Sequence, residues 1–485
     1  MTRSRPVRCL LPLAVAALVL CSGRAGAVAT SALDLPQLGE PADNTLSPAQ
    51  ERALGARVTA ELYHENYTLE DPELIDYINA IGYKLAGASM TPPPPLTIFI
   101  VQDPRINAFA LPGGYMGINA GTLLAADNEN ELAGVMGHEL AHITQRHIAR
   151  AAEDTEVGTI ATWLAVIAAI IAGSSNPDVV MGALAIGQGI NYQRQVSYTR
   201  AHEQEADRIG IQTMAAAGFD PNGMASFFSK LQQQSRLYGN GIPEILLTHP
   251  LSTNRMAEAA ARAAELPAVH HEDSPEFVLM RARARVLSAD RPGEALDYFA
   301  NEIKAGRDTL ENRYGLAFAQ LQQSQIIAAM QTLAPLVTRY PKQANVQLLN
   351  ATLLAQNGRI APALDAYQRI LQSYPAYAPA MLGYAEALMN AGKPGEARQY
   401  LLSHEQAQGT QLATYQLLAQ AARESGNLAE SAYQMGTYLQ LRGDPGSALA
   451  QIDAGLRLPD LTPQQRSRLV AKRTEMRNAL PDAGH

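Results

Sequence analysis

The chain has 485 residues, long enough for two or three domains, and its composition of 47% hydrophobic and 17% charged residues is that of an ordinary globular protein. A formal net charge of −8 argues against nucleic acid as its main partner. Aromatic residues make up only 6% while alanine is abundant, so helix packing is favoured over a β-rich fold.

Residues 1–27 are predicted to be a secretory signal peptide. Three arginines within the first eight residues precede an apolar run at 10–20 and the small-residue pattern of 25–27, which signal peptidase cleaves. The run is too short to span a bilayer as a permanent anchor. A retained anchor or a lipid on Cys21 is the alternative, although Leu20 occupies a position where lipoprotein processing requires a small residue.

Cleavage near Ala27 would remove both cysteines, Cys9 and Cys21. It would also remove four arginines and no acidic residue, so the formal net charge would change from −8 to −12. The mature chain would need no disulfide, and no thiolate could hold a zinc ion.

The first half of the mature chain, residues 28–270, is predicted to be an α+β domain. Helices begin at Ser47-Pro48 and Asp71-Pro72, where a capping residue precedes a proline, and end near residues 63 and 87. A strand covered on both faces follows at 96–101, and Pro112-Gly113-Gly114 joins the two strands of a hairpin. The hairpin strands are 107–111 and 115–119, and two longer helices are predicted at 128–152 and 198–217.

The most informative motif is His138-Glu139-Leu140-Ala141-His142, an HExxH pattern inside the first of these longer helices. Spacing of i and i+4 puts both imidazoles on one helix face, where two neutral rings bind zinc. Glu139 projects beside the metal, where it takes a proton from water. Asn128 and Glu131 are spaced as a capping box. Two surface histidines without a metal are the alternative.

A third protein ligand must come from elsewhere in the chain. Ile148 stands at the metzincin third-ligand position, and His147 is interpreted as a solvated or backbone-bonded residue. Glu203 and Asp207 share a face of the later helix, so Glu203 is the predicted ligand. Asp207 is predicted to orient a ligating histidine through its other ring nitrogen. Glu205, on the polar side of the helix, is the alternative ligand.

The second half, residues 275–480, is helical and periodic. A turn position recurs every 34 residues, an alanine follows five residues later, and Pro341 and Pro375 end helices. This pattern resembles the tetratricopeptide repeat, an α-solenoid, with a generic helical bundle as the alternative. The stretch from Gly443 departs from the pattern and is predicted to cap the array. The turn positions are Asp290, Ser324, Gly358, Gly392 and Gly426, and the alanines are Ala295, Ala329, Ala363 and Ala397.

The HExxH helix, the E-x-x-x-D helix that follows and the hairpin before them together resemble the M48 zinc metallopeptidases. The resemblance implies a mostly α protein with one zinc ion (Zn²⁺) per chain, held by His138, His142 and Glu203, and Glu139 as the general base. It also implies that His249, in a segment at 247–251 that is similar to the family, caps the zinc and keeps the enzyme latent. The alternative is a turn residue without a metal role.

The resemblance further implies a periplasmic endopeptidase that degrades misassembled outer-membrane β-barrel proteins and assists their assembly. The implied partners are the barrel-assembly machinery and unfolded or stalled barrel proteins. The uncharged stretch within residues 162–190 is expected to pack near the site and to touch the outer membrane. A chaperone or scaffold that acts through its repeats, with a latent or structural zinc site, is the alternative function.

Overall fold

The computed structural model of the chain describes residues 46–154, 200–238, 245–404 and 412–478. The predicted signal peptide, with both cysteines, and the segment at 162–190 lie outside these residues. Within the described ranges, no helix is long and apolar enough to cross a membrane.

Two capped helices open the fold. Helix α1 (Pro48–His64) begins after Ser47, whose hydroxyl accepts the N–H of Gln50, and α2 (Pro72–Ala88) begins after Asp71, whose carboxylate accepts the N–H of Leu74. In both helices a proline occupies the first turn, where its missing N–H costs nothing. Both predicted helix starts are therefore confirmed.

The described strands form one small sheet in the order β1-β2-β4-β3. Strands β2 and β4 are parallel, whereas β1 with β2 and β3 with β4 are antiparallel. The predicted hairpin is confirmed, and Gly113 and Gly114 adopt φ of +76° and +93° at its turn. Strand β3 consequently lies at one edge of the sheet. The strand bounds are β1 Thr68–Leu69, β2 Thr97–Val101, β3 Ala108–Leu111 and β4 Tyr115–Asn119.

Seven helices of the described chain follow the sheet. Their bounds are α3 Ala120–Ala125, α4 Glu129–Thr144, α5 His147–Asp154, α6 Arg200–Ala216, α7 Asn222–Tyr238, α8 Ile245–Thr248 and α9 Thr253–Glu265. The single helix predicted over 128–152 is wrong, because the chain breaks between α4 and α5, where Arg146 has φ of +50°. The break is held by the Arg146 guanidinium, which donates to Glu51 at 3.0 Å and to the carbonyl of Leu46 at 2.9 Å.

Only half of the predicted capping box forms at the start of α4. Asn128 accepts the N–H of Glu131 at 3.0 Å. The Glu131 carboxylate does not return the bond to Asn128, but accepts the N–H of Asp127 at 2.8 Å and contacts Lys230 at 2.6 Å. The Glu131 carboxylate thus contacts Lys230 of α7 and does not bond the backbone N–H of Asn128, its predicted partner.

The remaining helices are paired as the 34-residue period predicts. Ser324, Gly358, Gly392 and Gly426 have φ between +58° and +80°, the left-handed conformation of a tight turn. The repeating alanines are buried where paired helices cross. Together with the small-sheet domain, this confirms the predicted fold class. The bounds are α10 Pro275–Leu287, α11 Pro292–Lys304, α12 Leu310–Gln322, α13 Ile326–Arg339, α14 Ala344–Gln356, α15 Ile360–Ser373, α16 Ala378–Asn390, α17 Pro394–Ser403, α18 Leu412–Glu424, α19 Leu428–Leu441, α20 Pro445–Leu456 and α21 Pro463–Asn478.

The repeats pack directly against the first half of the chain. Arg283 of α10 is buried and forms ion pairs with Asp71 at 2.6 Å and Glu73 at 2.7 Å. Further along, Arg442 pairs with Glu70 at 2.8 Å. One hydrophobic core cluster extends from the sheet into the first repeats. The domain boundary between residues 270 and 275 stays a prediction.

Candidate metal centre

The two histidines of the HExxH motif lie on α4, which crosses α6 at very short range. Gly137 of α4 and Gly210 of α6 meet at the crossing, and a Cβ on Gly210 would lie 3.0 Å from the carbonyl carbon of Gly137. Because neither residue has a side chain, the backbones approach closely. The crossing brings Glu203 of α6 to His138 and His142 of α4.

Four side chains place one potential ligand atom each within 4.8 Å of all the others, and all four are buried. They are His138, His142, Glu203 and His249, and are called the ligand cluster below. Nε2 of His138 lies 3.0 Å from Nε2 of His142, and each of these nitrogens lies 3.5 Å from a Glu203 oxygen. A tetrahedral zinc ion with bonds of about 2.0–2.1 Å separates its ligand atoms by about 3.3 Å. The spacing therefore fits such an ion.

Glu139 provides an independent indication that a polar group belongs at this centre. Its side chain is fully buried, and within the described part of the chain neither carboxylate oxygen accepts a hydrogen bond. Nε2 of His249 lies 3.6 Å from one of its oxygens. A buried carboxylate without a partner is costly, so this geometry is stable only if water or a cation satisfies it.

Asp207 and Arg255 contact residues of the ligand cluster without belonging to it. Oδ1 of Asp207 lies 3.0 Å from Nδ1 of His138, and its role as an orienting carboxylate stays a prediction. Arg255 donates to both Asp207 oxygens, at 2.7 and 2.8 Å, and its third nitrogen lies 2.7 Å from Glu203. Burial would raise the pKa of Asp207, but the hydrogen bonds from Arg255 and His138 lower it. Sequence reasoning missed Arg255.

The carboxylates give the centre a negative potential. Burial would lower the pKa of His138, but its bonds to Asp207 and Glu203 raise it to about 10. Burial and the proximity of His138 hold the pKa of His142 well below its usual value. The two facing ring nitrogens therefore need only one proton or one metal cation between them. The negative charge of the nearby carboxylates favours a metal cation in that place.

His249 lies inside the ligand cluster. Its Nδ1 is 3.0 Å from Oε1 of Glu203 and 3.3 Å from Nε2 of His138. The residue follows α8 and precedes Pro250, so a short turn carries the imidazole into the site.

The interpretation of His147 as a solvated or backbone-bonded residue is wrong. Its side chain is fully buried, with Nδ1 2.8 Å from Nδ1 of His142 and Nε2 3.1 Å from Oε2 of Glu205. Burial lowers the pKa of His147 to about 4, so the ring is neutral. Glu205, the alternative ligand, lies outside the ligand cluster and pairs with Arg150 at 2.9 Å.

Comparison with known proteins gives matches over both halves of the chain. A family model described as "Peptidase family M48" matches residues 72–263, and one described as "Tetratricopeptide repeat" matches residues 354–422. The "Beta-barrel assembly-enhancing protease" of Escherichia coli (strain K12) is 32% identical over 93% of each chain. The "Putative beta-barrel assembly-enhancing protease" of Vibrio cholerae is 32% identical over 92% of this chain and 91% of that protein.

A more distant relative matches only part of the chain. The "Mitochondrial metalloendopeptidase OMA1" of Arabidopsis thaliana is 32% identical over 160 residues, which cover 33% of this chain and 30% of that protein.

Proposed function

Since the chain belongs to peptidase family M48 and is a metalloendopeptidase with tetratricopeptide repeats, we propose that it degrades misassembled outer-membrane β-barrel proteins in the periplasm and assists their assembly. The names of relatives that match more than nine-tenths of the chain support this substrate class. The proposed partners are the barrel-assembly machinery and unfolded or stalled barrel proteins. The predicted signal peptide is consistent with a periplasmic location.

His138, His142 and Glu203 are proposed to hold one zinc ion per chain. Their ligand atoms have the spacing of a tetrahedral site, and the donor set of two imidazoles and a carboxylate is one that zinc prefers. When bound, zinc polarises the scissile carbonyl and increases the acidity of the attacking water. Asp207 is proposed to fix the ring of His138, while Arg255 holds Asp207 and Glu203 in place.

Glu139 is the proposed general base, and its orphaned carboxylate is the observation that carries the proposal. It accepts a proton from the attacking water and transfers that proton to the leaving amine. A purely structural zinc site has no need of a buried carboxylate beside its ligands. Because Glu139 makes no hydrogen bond within the described residues, it can exchange a proton without breaking a structural contact.

Strand β3 is the proposed docking edge for an extended substrate. The N–H of Asn119 donates to the carbonyl of Asn107 at 2.9 Å, which fixes the alternation of inward and outward backbone groups. By that alternation the N–H and C=O groups of Ala108 and Ala110 point away from β4. Pairing there would select an unfolded, extended segment more than a side-chain type.

The decisive experiment is Glu139→Gln, with the exposed Glu61→Gln on α1 as the matched control. The purified Glu139→Gln protein should bind zinc and an unfolded barrel protein but should no longer cleave it, whereas the control should cleave normally. Undiminished cleavage by Glu139→Gln would exclude Glu139 as the base. If that inactive variant still assists barrel assembly fully, a chaperone or scaffold activity of the repeats is the better description.

His249 is proposed to occupy the open metal position and to keep the enzyme latent. Its place in the ligand cluster supports this role, because the imidazole lies where a substrate carbonyl would need access. The variant His249→Ala should cleave an unfolded barrel protein faster than the wild type, measured as initial rate at equal zinc occupancy. An unchanged or lower rate would remove His249 from this role.

A further inference from the structure

His142 has a second ring nitrogen that faces another histidine. Its Nδ1 lies 2.8 Å from Nδ1 of His147, which is fully buried. A contact this short requires one proton between the nitrogens, since two lone pairs would repel each other. His138 has a carboxylate in the corresponding place, with Asp207 3.0 Å from its Nδ1.

The other contact of His147 and the proposed ligation of His142 together determine which ring donates the proton. Nε2 of His147 lies 3.1 Å from Oε2 of Glu205, and an ionised carboxylate only accepts hydrogen bonds, so this nitrogen carries a proton. A neutral His142 that binds the ion through Nε2 keeps its own proton on Nδ1. That proton is then donated to the Nδ1 lone pair of His147.

Two additional contacts keep this chain of bonds in place. Arg150 of α5 lies 2.9 Å from the same Glu205 oxygen that faces His147. On its other side, the ring of His147 stacks on His202, with centroids 4.5 Å apart and planes at 13°. The stacking fixes the ring plane, and the ion pair fixes the carboxylate.

The break between α4 and α5 is what makes the contact possible. In a continuous helix, five residues rotate the direction of a side chain by about 140°, so His147 would point away from His142. The left-handed conformation of Arg146 redirects the chain, and α5 begins at His147 itself. The contacts of Arg146 with Glu51 and Leu46 hold that conformation.

We propose that His147 and Glu205 are positioning residues of the metal site, which hold His142 in the tautomer and ring orientation that bind the ion through Nε2. This inference rests on the proposed zinc site. Under this proposal each ligating imidazole is supported by its own chain of side-chain contacts, and each chain ends at an arginine. His138 leads through Asp207 to Arg255, and His142 leads through His147 and Glu205 to Arg150.

The test is the dissociation constant for Zn²⁺, measured by competition with a chelator on the full chain. Loss of a partner behind a ligating histidine typically weakens metal binding by about 10–100-fold, and His147→Ala should fall in this range. His147→Gln should recover part of the affinity, because an amide can accept from Nδ1 of His142 and donate to Glu205. Gln204→Ala, at an exposed neighbour of Glu205, is the matched control and should bind as the wild type does.

Denaturant unfolding and the absorption spectrum of the Co²⁺-loaded protein separate positioning from a general structural role. A folded His147→Ala protein with the wild-type Zn²⁺ affinity and Co²⁺ spectrum would overturn the inference. If that variant does not fold, Glu205→Ala decides in the same way, with weaker Zn²⁺ binding expected and unchanged binding overturning the inference. A wild-type chain that binds no Zn²⁺ would instead refute the proposed zinc site.

Discussion

Replacing Gly210 by alanine should separate the two helices that carry the metal ligands. The new Cβ would lie 2.9 Å from Cε of Met224, 3.0 Å from the carbonyl carbon of Gly137 and 3.1 Å from its oxygen. Ordinary carbon contacts are about 3.5–4.0 Å, so α6 must move about 0.5 Å away from α4. The flexible end of Met224 can yield, but the backbone of Gly137 cannot.

That displacement is large on the scale of a metal site. Glu203 lies two helical turns before Gly210 on α6, and His138 directly follows Gly137 on α4. Metal–ligand distances tolerate about ±0.2 Å, so a shift of about 0.5 Å opens the site. Overpacking costs about 1–3 kcal/mol. If that strain is present only while the ligands are closed around the ion, the Zn²⁺ dissociation constant increases roughly 5–150-fold.

The assay is chelator competition for Zn²⁺, combined with urea unfolding of the metal-free protein. Gly315→Ala is the matched control, because its Cβ would lie 2.4 Å from the ring of Phe299 in the repeats, far along the chain from the metal ligands. Gly315→Ala should lose stability and keep its Zn²⁺ affinity, whereas Gly210→Ala should lose affinity. A Gly210→Ala protein that binds Zn²⁺ as tightly as the wild type would refute the reasoning.

Three other predictions concern the repeats and their contact with the peptidase half. Arg283→Met should lower the free energy of unfolding by about 3–5 kcal/mol, because it leaves the largely buried carboxylates of Asp71 and Glu73 without their cation. Arg307→Met, at a solvent-exposed pair, should leave the urea midpoint close to that of the wild type, and equal midpoints for the two variants would contradict this reasoning. Burial raises the pKa of Asp76 to about 6 and, together with the nearby Asp76 charge, that of Glu276 to about 7. Their neutral forms are therefore favoured by folding, and this stabilisation is complete below their unfolded pKa values and is lost as pH rises through 6–7. The double variant Asp76→Asn/Glu276→Gln should accordingly show a smaller fall in Tm between pH 5 and pH 8 than the wild type. A curve of Tm against pH that runs parallel to the wild-type curve would exclude these two groups as the cause of the fall. Gly358→Ala should lower the free energy of unfolding by roughly 1–2 kcal/mol through its φ of +73° alone, since its Cβ would meet no atom within 4 Å. Gly293→Ala, in helix α11, should instead stabilise the protein by up to about 1 kcal/mol. Thermal unfolding of the two variants distinguishes these outcomes.

Local signals in the sequence predicted most of the fold. Ser47 and Asp71 each begin a helix because a side-chain oxygen satisfies a free N–H of the first turn. Gly113 and Gly114 form the hairpin turn because glycine adopts positive φ without steric cost. These causes act over a few residues, so the sequence alone reveals them.

The supporting residues of the metal centre could not be predicted in this way. Arg255 is 48 residues beyond Asp207, and nothing in its own helix distinguishes it from other arginines there. A weak signal did exist, since Glu203 and Asp207 on one buried face require a cation somewhere in the fold. His147 was missed for another reason, because the break at Arg146 has no glycine or proline to indicate it.

The pairing of Arg283 with Asp71 and of Arg442 with Glu70 has a mechanical consequence. Glu70 and Asp71 are adjacent and directly precede α2, so the first repeat and a late repeat attach to almost the same place. The middle of the array contacts this segment as well, because Asn345 of α14 donates to Glu73 at 2.9 Å. The repeats between these attachment points therefore cannot straighten unless at least one of the contacts breaks.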